Sequence, residues 1–347
     1  MRSDTILSFS APLAERRHIQ VRPSAVLELT YAYYFLMKRL DRDRDSNLPW
    51  VRQLRENPPA GLEGLREVWR KREMDYLGYE LFILACGLGY ATDASPDRFL
   101  SDFPVLPGKI LESLEDIKTP ARDDNDVESM TKLRRHYEVL AEPASGLEMQ
   151  AALSVLWGFM QPSWEREGHE VSLAAGAQLE KEIEATGDLL AALPPHHFVQ
   201  FEEAAADLRE RQKTGYVMVV PLFFASLGGF HLDVGDVDYL GYGVHSESLF
   251  QQQQQELTAL AGRLKAFGDP TRLLLLVLIS RLTQFPMTVG DLAKQLGVSQ
   301  PTASGHLKLL REAGLVDVSK KGNRAFYKLE EGAVSQLIGE LEHVLLG

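Results

Sequence analysis

Apolar residues recur at helical spacing through most of the first 250 residues. Between residues 23 and 40, Val26, Leu29, Tyr33 and Leu36 follow steps of three or four, which is the spacing of one helix face on a core. The same kind of pattern predicts further helices over 61–87, 107–118, 126–141 and 146–161. The N-terminal part of the chain is therefore expected to be mainly helical.

A more polar segment, residues 163–193, has the composition of one long acidic helix. Its apolar seam consists of Leu179, Ile183, Thr186, Leu190 and Leu193, separated by alternating steps of four and three. This heptad-like spacing would suit a coiled coil, but two heptads are too few to argue one. One helix face packed on a core is the favoured interpretation.

Residues 215–245 change to a β-prone pattern. The stretch 216–220 is β-prone, and several glycines precede the stretch 239–243. These stretches predict a small sheet of two or three strands, which the segment 5–21 could join. The predicted fold class is mainly α with small β, with a helical N-terminal domain over 1–250 that contains a short β-sheet near 215–245.

Five consecutive glutamines, residues 251–255, open the remaining part of the chain. A flexible linker is one interpretation of this tract. Glutamine is also a fair helix former, and the tract runs without a break into the apolar pattern of 256–260. The tract is therefore predicted to begin a connecting helix.

Helix start signals are clearest toward the C-terminus. Asp269 precedes a proline, and Thr288 and Ser299 each precede a run of apolar residues at helical spacing. Gly297 permits a sharp turn between the last two runs. The pattern predicts a helix over 270–283, apolar on most sides, and then a helix, a turn and a second helix.

Two short β patterns, 315–318 and 325–329, follow around a Gly322-Asn323 turn, and a last helix covers 331–346. The apolar stripe of that helix comprises Val334, Leu337, Ile338, Leu341, Val344 and Leu345. The stripe is longer than one small module needs, so part of it is expected to face a partner subunit. Helix, turn, helix and two-stranded ribbon are the layout of a winged helix-turn-helix domain, predicted over 251–347.

Charge is divided unevenly along the chain, whose net charge is −12. Residues 1–250 contain 26 basic and 40 acidic residues, whereas residues 263–328 contain 11 basic and four acidic ones. The positive field therefore lies where the helix-turn-helix pattern lies, and DNA phosphates should repel the acidic part.

Polar side chains on the N-terminal half of the second helix of this pattern are candidates for DNA contact. They are Ser299, Gln300, Thr302, Ser304, His306 and Lys308. At the hairpin tip, Lys320, Lys321 and Arg324 surround the predicted turn, where they suit phosphate or minor-groove contact. Base contacts are expected from Gln300, Thr302 and Ser304, and phosphate contacts from Lys308 and the three tip residues.

The C-terminal part resembles the winged helix-turn-helix domain of the ArsR family of bacterial transcriptional regulators. The matching stretches are LKAFGDPTR (264–272), TVGDLA (288–293) and SQPTASGHLKLLREAGLV (299–316). The resemblance implies a homodimer joined through the first and last helices of the domain, and operator binding by residues 299–312. More faintly, residues 24–29 and 47–51 resemble a large domain of unknown function that precedes such modules in some regulators.

Two departures from the family pattern change what is expected. The classical metal sensors of the family carry paired cysteines at the start of the third helix, and residues 288–292 contain none. On the last helix only Glu340, Glu342 and His343 could serve a second metal site, so no metal is expected. Gly305 stands where the family usually has a polar side chain. The glycine either permits the helix backbone to approach DNA closely or reduces the number of side chains that can contact DNA.

The sequence contains none of the motifs GxGxxG, GxxxxGK[ST], HExxH or GxSxG, so neither enzyme activity nor a cofactor is expected.

The single cysteine, Cys86, lies in an apolar run and is expected to be a buried core thiol. An aromatic group could line a ligand pocket, although plain core is favoured. Its members are Tyr31, Tyr33, Tyr34, Phe35 and Trp50.

The first ten residues lack the apolar core of a signal peptide, and the longest apolar run, 273–279, is far short of a membrane span. A cytoplasmic protein without membrane contact is therefore expected.

The functional hypothesis is a dimeric transcriptional regulator, of repressor type, that binds double-stranded DNA at a pseudo-palindromic operator. The domain 1–250 would bind a non-metal small-molecule effector or shape the dimer. The alternative is a protein-interaction module, in which the winged helix serves assembly and binds no DNA.

Overall fold

A computed structural model describes residues 19–38, 48–117, 124–194, 215–225, 229–281, 287–321 and 324–346. The chain divides into an N-terminal unit, Met1–Phe250, and a C-terminal unit, Gln251–Gly347. In the described ranges, none of the helices is both long and apolar enough to cross a membrane. The functional roles that the sequence suggests for the two parts stay predictions.

Helices form most of the N-terminal unit. They are α1 (Ala25–Lys38), α2 (Pro49–Glu56), α3 (Gly64–Arg70), α4 (Glu80–Gly87), α5 (Tyr90–Asp93), α6 (Pro96–Asp102), α7 (Leu106–Ile117), α8 (Asp124–Ala141), α9 (Pro143–Ser163), α10 (His169–Thr186) and α11 (Leu189–Ala192). A 3-10 turn, Phe103–Val105, precedes α7, and a π-helical turn, Trp164–Gly168, joins α9 to α10. The mainly helical class predicted from the spacing of apolar residues is confirmed.

Helix α1 is the centre of the core, because residues on every side of it are buried. The predicted aromatic group supplies much of that core, since Tyr31, Tyr33, Phe35 and Trp50 are all buried. The ring of Trp50 lies 5.4 Å from that of Phe35, a tilted aromatic contact. The core interpretation of these four aromatic residues is confirmed.

The single helix predicted over 61–87 is wrong, because the chain there forms two helices, α3 and α4. Between them Glu73 and Gly78 have φ values of 52° and 84°, which no α-helix contains. A Cβ at Gly78 would lie 2.9 Å from the Tyr34 ring, so glycine is needed there for space as well. Cys86, at the end of α4, is buried as predicted, and burial raises the pKa of its thiol.

The single acidic helix predicted over 163–193 is also wrong. Helix α9 continues through the π-helical turn into α10, which ends at Gly187 with a φ of 70°. Leu179 on α10 and Leu190 and Leu193 after that break are nevertheless buried in one cluster. These residues thus pack on a core, as favoured over a coiled coil, but they reach it from separate segments.

Four strands form the sheet of the N-terminal unit, in the order β1-β2-β4-β3. They are β1 (Ile19–Val21), β2 (Tyr216–Leu222), β3 (Gly229–Val234) and β4 (Val237–Gly243). Strands β1, β2 and β4 are parallel, and β3 is antiparallel to β4. The predicted sheet near 215–245 is confirmed and joined by β1, the end of the segment 5–21, of which residues 5–18 lie outside the described ranges.

Three carboxylates, Glu28, Glu80 and Asp238, are buried in the described part of this unit, although carboxylates rarely enter a core. Glu28 on α1 accepts hydrogen bonds from the backbone N–H groups of Phe223 and Phe224, so it ties α1 to the end of β2. Burial raises the pKa of Glu28 to about 8, against the opposing effect of these two N–H donors. Glu80 accepts a hydrogen bond from the Tyr33 hydroxyl, and burial raises its pKa as well.

The C-terminal unit has a helical core and a two-stranded ribbon. Its elements are α12 (Ser246–Leu264, which begins in the N-terminal unit), α13 (Pro270–Arg281), α14 (Val289–Leu296), α15 (Gln300–Glu312), β5 (Val316–Lys321), β6 (Arg324–Leu329) and α16 (Glu331–Leu346). The glutamine tract lies inside α12, which confirms its helical interpretation. Helix α13 ends at Arg281, and residues 282 and 283 of its predicted range lie outside the described ranges.

Candidate nucleic-acid interface

The corner between α12 and α13 is fixed by Asp269 and Arg272. The backbone N–H of Arg272 donates to the Asp269 carboxylate at 3.0 Å, which caps α13. The Arg272 guanidinium donates to the carbonyl oxygens of Ala266 and Lys265 at 2.8 and 2.9 Å. The backbone hydrogen bond from Arg272 is the main reason that the pKa of Asp269 is lowered.

Helix α14 begins with a capping box formed by Thr288 and Asp291. The Thr288 hydroxyl accepts from the Asp291 N–H, and the Asp291 carboxylate accepts from the Thr288 N–H at 2.9 Å. The hydrogen bond from the Thr288 side chain is the first cause of the lowered pKa of Asp291. A β-bridge between Thr288 and Phe326 fastens the ribbon to this helix start, and Gly297, with a φ of 66°, ends the helix.

Helix α15 is the second helix of the helix-turn-helix pair, and its first turn is locked by Ser299 and Thr302. The Ser299 hydroxyl accepts from the Thr302 N–H at 3.3 Å and lies 2.7 Å from the Thr302 hydroxyl. The inward stripe consists of Ala303, Leu307 and Leu310, each of which has no exposed surface. The helix is therefore held firmly on the core, as a reading helix requires.

The outward face of α15 lies opposite that stripe. At about 100° per residue, Pro301, Gly305 and Lys308 lie near its centre, with Thr302 and Ser304 on its two flanks. All five are exposed. Gln300 is exposed as well but lies nearer the buried stripe. The structure thus brings most of the predicted base-contacting side chains to one exposed surface.

His306 is placed differently from the outward position expected of it. Its side chain is 20% exposed, and Nδ1 lies 3.8 Å from the Asp269 carboxylate. That nitrogen is buried, and the described residues offer it no hydrogen-bond partner. His306 therefore lies between α15 and the start of α13 instead of on the outward face, and a DNA contact from it stays a prediction.

Three of the ribbon's cations, Lys320, Lys321 and Arg324, lie at the turn end of the two strands. Strands β5 and β6 are antiparallel, and Lys320 pairs with Ala325 while Lys321 pairs with Arg324. Lys320 and Arg324 are exposed. The Gly322-Asn323 turn and the Lys321 side chain lie outside what the structure describes. On α15, the Lys308 side chain is 67% exposed and lies 3.8 Å from the Glu312 carboxylate.

An ion pair joins helices α12 and α16. The Arg263 guanidinium lies 2.6 Å from the Glu340 carboxylate, which also accepts a hydrogen bond from Gln336 at 2.8 Å. Glu340, considered above as a metal ligand, is thus occupied by a cation of the protein itself. On α16, Leu337 is buried, whereas Ile338 and Leu345 are 58% and 59% exposed.

Sequence reasoning missed three residues that build this interface: Arg272, Asp291 and Arg263. Asp291 could have been found, because a Thr followed three residues later by an acidic residue is the signature of a capping box. Arg272 and Arg263 act on carbonyl and carboxylate groups of other elements, and the spacing of residues along the chain carries no signal of such contacts.

Comparisons with known proteins agree with this geometry. Residues 269–318 match the family described as "Bacterial regulatory protein, arsR family". The biofilm growth-associated repressor of Xylella fastidiosa is 33% identical over 91 residues, which are 26% of this chain and 77% of the relative. The HTH-type transcriptional regulator NmtR of Mycobacterium tuberculosis is 32% identical over 114 residues, which are 31% of this chain and 92% of the relative.

Solved structures similar to this chain include the transcriptional repressor BigR from Xylella fastidiosa. It is 30% identical and covers 28% of this chain and 96% of that one, with a TM-score of 0.22. The family resemblance inferred from LKAFGDPTR, TVGDLA and the long stretch after Ser299 is confirmed. This chain belongs to the arsR family of bacterial regulatory proteins.

Proposed function

We propose that this protein is a transcriptional repressor whose homodimer binds a pseudo-palindromic operator in double-stranded DNA. The observation that carries the proposal is that polar residues of α15 and the cations Lys320 and Arg324 of the ribbon end are exposed in the same unit. A helix held in this way fits the major groove, while the ribbon reaches the adjacent backbone or minor groove. The name of the Xylella fastidiosa relative supports the repressor assignment.

Base contacts are assigned to Gln300, Thr302 and Ser304. Gln300 and Ser304 have exposed side chains that can donate and accept hydrogen bonds at base edges. Thr302 shares its hydroxyl with Ser299, which leaves it fewer hydrogen bonds for a base. Ser299 therefore acts mainly as the helix cap, and it contributes to DNA binding by positioning Thr302.

Phosphate contacts are assigned to Lys308, Lys320, Lys321 and Arg324. Three of them are exposed cations of the C-terminal unit, and Lys321 stands opposite Arg324 in the ribbon register. Phosphate neutralisation is independent of sequence, so these residues would supply affinity and register while α15 supplies specificity.

Dimerisation is assigned to α12 and α16. Leu257 on α12 and Ile338 and Leu345 on α16 are large apolar side chains that are 39%, 58% and 59% exposed. Burying them against a second copy would remove apolar surface from water and place two α15 helices on successive major grooves. The acidic N-terminal unit would bind a non-metal effector that shifts the affinity of this dimer for DNA.

Removing a base-contacting side chain should weaken binding to specific sites and leave general DNA affinity intact. We expect Gln300→Ala and Ser304→Ala each to cost about 1–3 kcal/mol on the preferred sequence where they make a good base contact. The measurement is a titration of labelled duplexes, preferred and scrambled, with sites first enriched from random sequences. Gln178→Ala, at an exposed glutamine of α10, is the matched control. Equal loss on both duplexes, or no enriched sequence at all, would contradict the proposal.

Removing a ribbon cation should lower the affinity for DNA and leave the sequence preference unchanged. We expect Lys320→Ala or Arg324→Ala to weaken binding to all sequences alike, because each side chain neutralises a phosphate. The slope of log affinity against log salt should fall by about one for each cation removed. Lys181→Ala, at an exposed lysine of α10, should leave the slope unchanged. A loss confined to one sequence would assign these side chains to base contacts instead.

A further inference from the structure

The centre of the outward face of α15 lacks side-chain hydrogen-bonding groups in its N-terminal half, before Lys308. Pro301 and Gly305 lie one helical turn apart there, and both are exposed. Apart from its chain neighbours and the backbone of its own helix, a Cβ added at Gly305 would meet no heavy atom of the described residues within 4 Å. Between Pro301 and Lys308, the face is therefore an apolar ring followed by bare backbone with open space above it.

This surface cannot read most base edges. Guanine and adenine present hydrogen-bond acceptors or donors in the major groove, and cytosine presents an amino donor. Neither Pro301 nor Gly305 has a side-chain donor or acceptor, and the N–H of residue 305 is committed to the preceding helical turn. The thymine C5-methyl group is the one apolar feature of the major groove, so it is the group that this surface can contact favourably.

Glycine also changes how closely the helix can approach the DNA. Without a side chain at residue 305, the backbone of α15 can come near the base edges. The missing side chain at Gly305 leaves a gap beside the Pro301 ring, with Thr302 and Ser304 on the two flanks of the face, and this gap is called the notch. In the described part of the C-terminal unit, no other segment lies within 4 Å of the position that a Cβ of residue 305 would take.

We propose that Pro301 and Gly305 form a thymine-methyl contact surface, which makes the protein select thymine at one position of each operator half-site. The inference rests on the proposed DNA-binding function and deepens it. Specificity at that position comes from shape and apolar contact, while Ser304 and Gln300 supply the hydrogen-bonded contacts beside it.

Deoxyuridine substitution tests the proposal, because deoxyuridine differs from thymidine by the C5-methyl group alone. The full-length protein is first used to enrich preferred duplexes from random sequences. Each thymidine of the preferred site is then replaced in turn by deoxyuridine. We expect one thymidine in each half-site whose replacement weakens binding about fourfold, the effect of one buried methyl-sized group.

The variant Gly305→Gln tests whether the notch causes the fourfold effect of the methyl group. The added side chain has room, and glutamine is a better helix former than glycine, so the variant should fold at least as well as the wild type. It fills the notch, so we expect the variant to bind thymidine and deoxyuridine at that position equally. Gly158→Gln, at an exposed glycine of α9 that also has open space around its Cβ, should keep the fourfold difference.

The outcomes separate the two proposals. If no sequence is enriched by the wild type, DNA binding fails and the notch fails with it. If a sequence is enriched but contains no thymidine sensitive to deoxyuridine, the notch is refuted while DNA binding stands. A fourfold difference that survives in Gly305→Gln refutes the notch in the same way.

Discussion

Glu28→Gln should remove a pH-dependent loss of stability that the wild type shows as pH rises from about 4.5 to about 8. The Glu28 carboxyl is fully buried on α1, and burial raises its pKa to about 8 in the folded protein. The unfolded chain has the ordinary value of 4.5. The folded state therefore binds more protons than the unfolded state between these two pH values.

The sign of the effect follows from that difference in proton binding. Stability supplied by the protonated carboxyl is fully present below pH 4.5 and is lost as pH rises through the folded pKa of about 8. A pKa difference of this size corresponds to a loss of about 5 kcal/mol in the free energy of unfolding, and the full loss is reached at the alkaline end of the range. Glutamine cannot ionise, so the unfolding free energy of the variant loses this dependence on pH. Glu80, whose pKa burial also raises, leaves a slope of the same sign in both proteins.

Chemical denaturation at a series of pH values measures the effect on the wild type and on Glu28→Gln. The glutamine amide directs an N–H group at a backbone N–H, which lowers the stability of the variant at every pH. The readout is therefore the slope of the unfolding free energy against pH. Glu170→Gln, at an exposed carboxylate of α10, is the control and should keep the wild-type slope. A wild-type stability that rises over this range, or a full slope in Glu28→Gln, would contradict the assignment.

Most of the C-terminal unit could be predicted from the sequence because short-range signals specify it. Asp269, Thr288 and Ser299 each cap a helix, and each does so through a backbone N–H within three residues. The inward stripe of α15 follows from the helical repeat alone. Contacts of this kind are encoded within one or two turns, so they can be read along the chain.

His306 shows where reasoning from polarity failed although the helical repeat held the answer. It stands three residues after Ala303 and four before Leu310, and both of these are buried. That spacing places His306 at the edge of the inward stripe. Polarity suggested an outward position, whereas periodicity predicts the half-buried place beside Asp269 that the structure shows.

The N-terminal unit depends on contacts that no local pattern contains. Glu28 and Phe223 are separated by 195 positions in sequence, and Tyr33 and Glu80 by 47. A buried carboxylate looks like a surface residue until its distant partner is known. The helix break missed in 61–87 includes Glu73, a residue other than glycine at positive φ, which the spacing of apolar residues does not indicate.

If the proposed dimer and operator binding hold, Ile338→Glu combined with Leu345→Glu should convert the dimer to a monomer and weaken operator binding by about 10²–10⁴-fold. Both side chains are more than half exposed on α16, so glutamate can reach water in the monomer without entering the core. In a dimer joined through α16, the same charges would be buried opposite each other, at a cost that two apolar contacts cannot offset. Each half-site would then bind alone, without the effective concentration that linkage to the other half provides.

Sedimentation velocity and titration with full and half operators check both parts of this prediction. The double variant should sediment as a monomer, and its affinity for a half-site should equal that for the full site. Leu147→Glu, at a leucine of α9 that is 55% exposed, is the control in the other unit and should remain dimeric. A dimeric double variant would place the interface elsewhere. A monomeric Leu147→Glu variant would assign dimerisation to the N-terminal unit, because α16 alone would then be insufficient to hold two copies together.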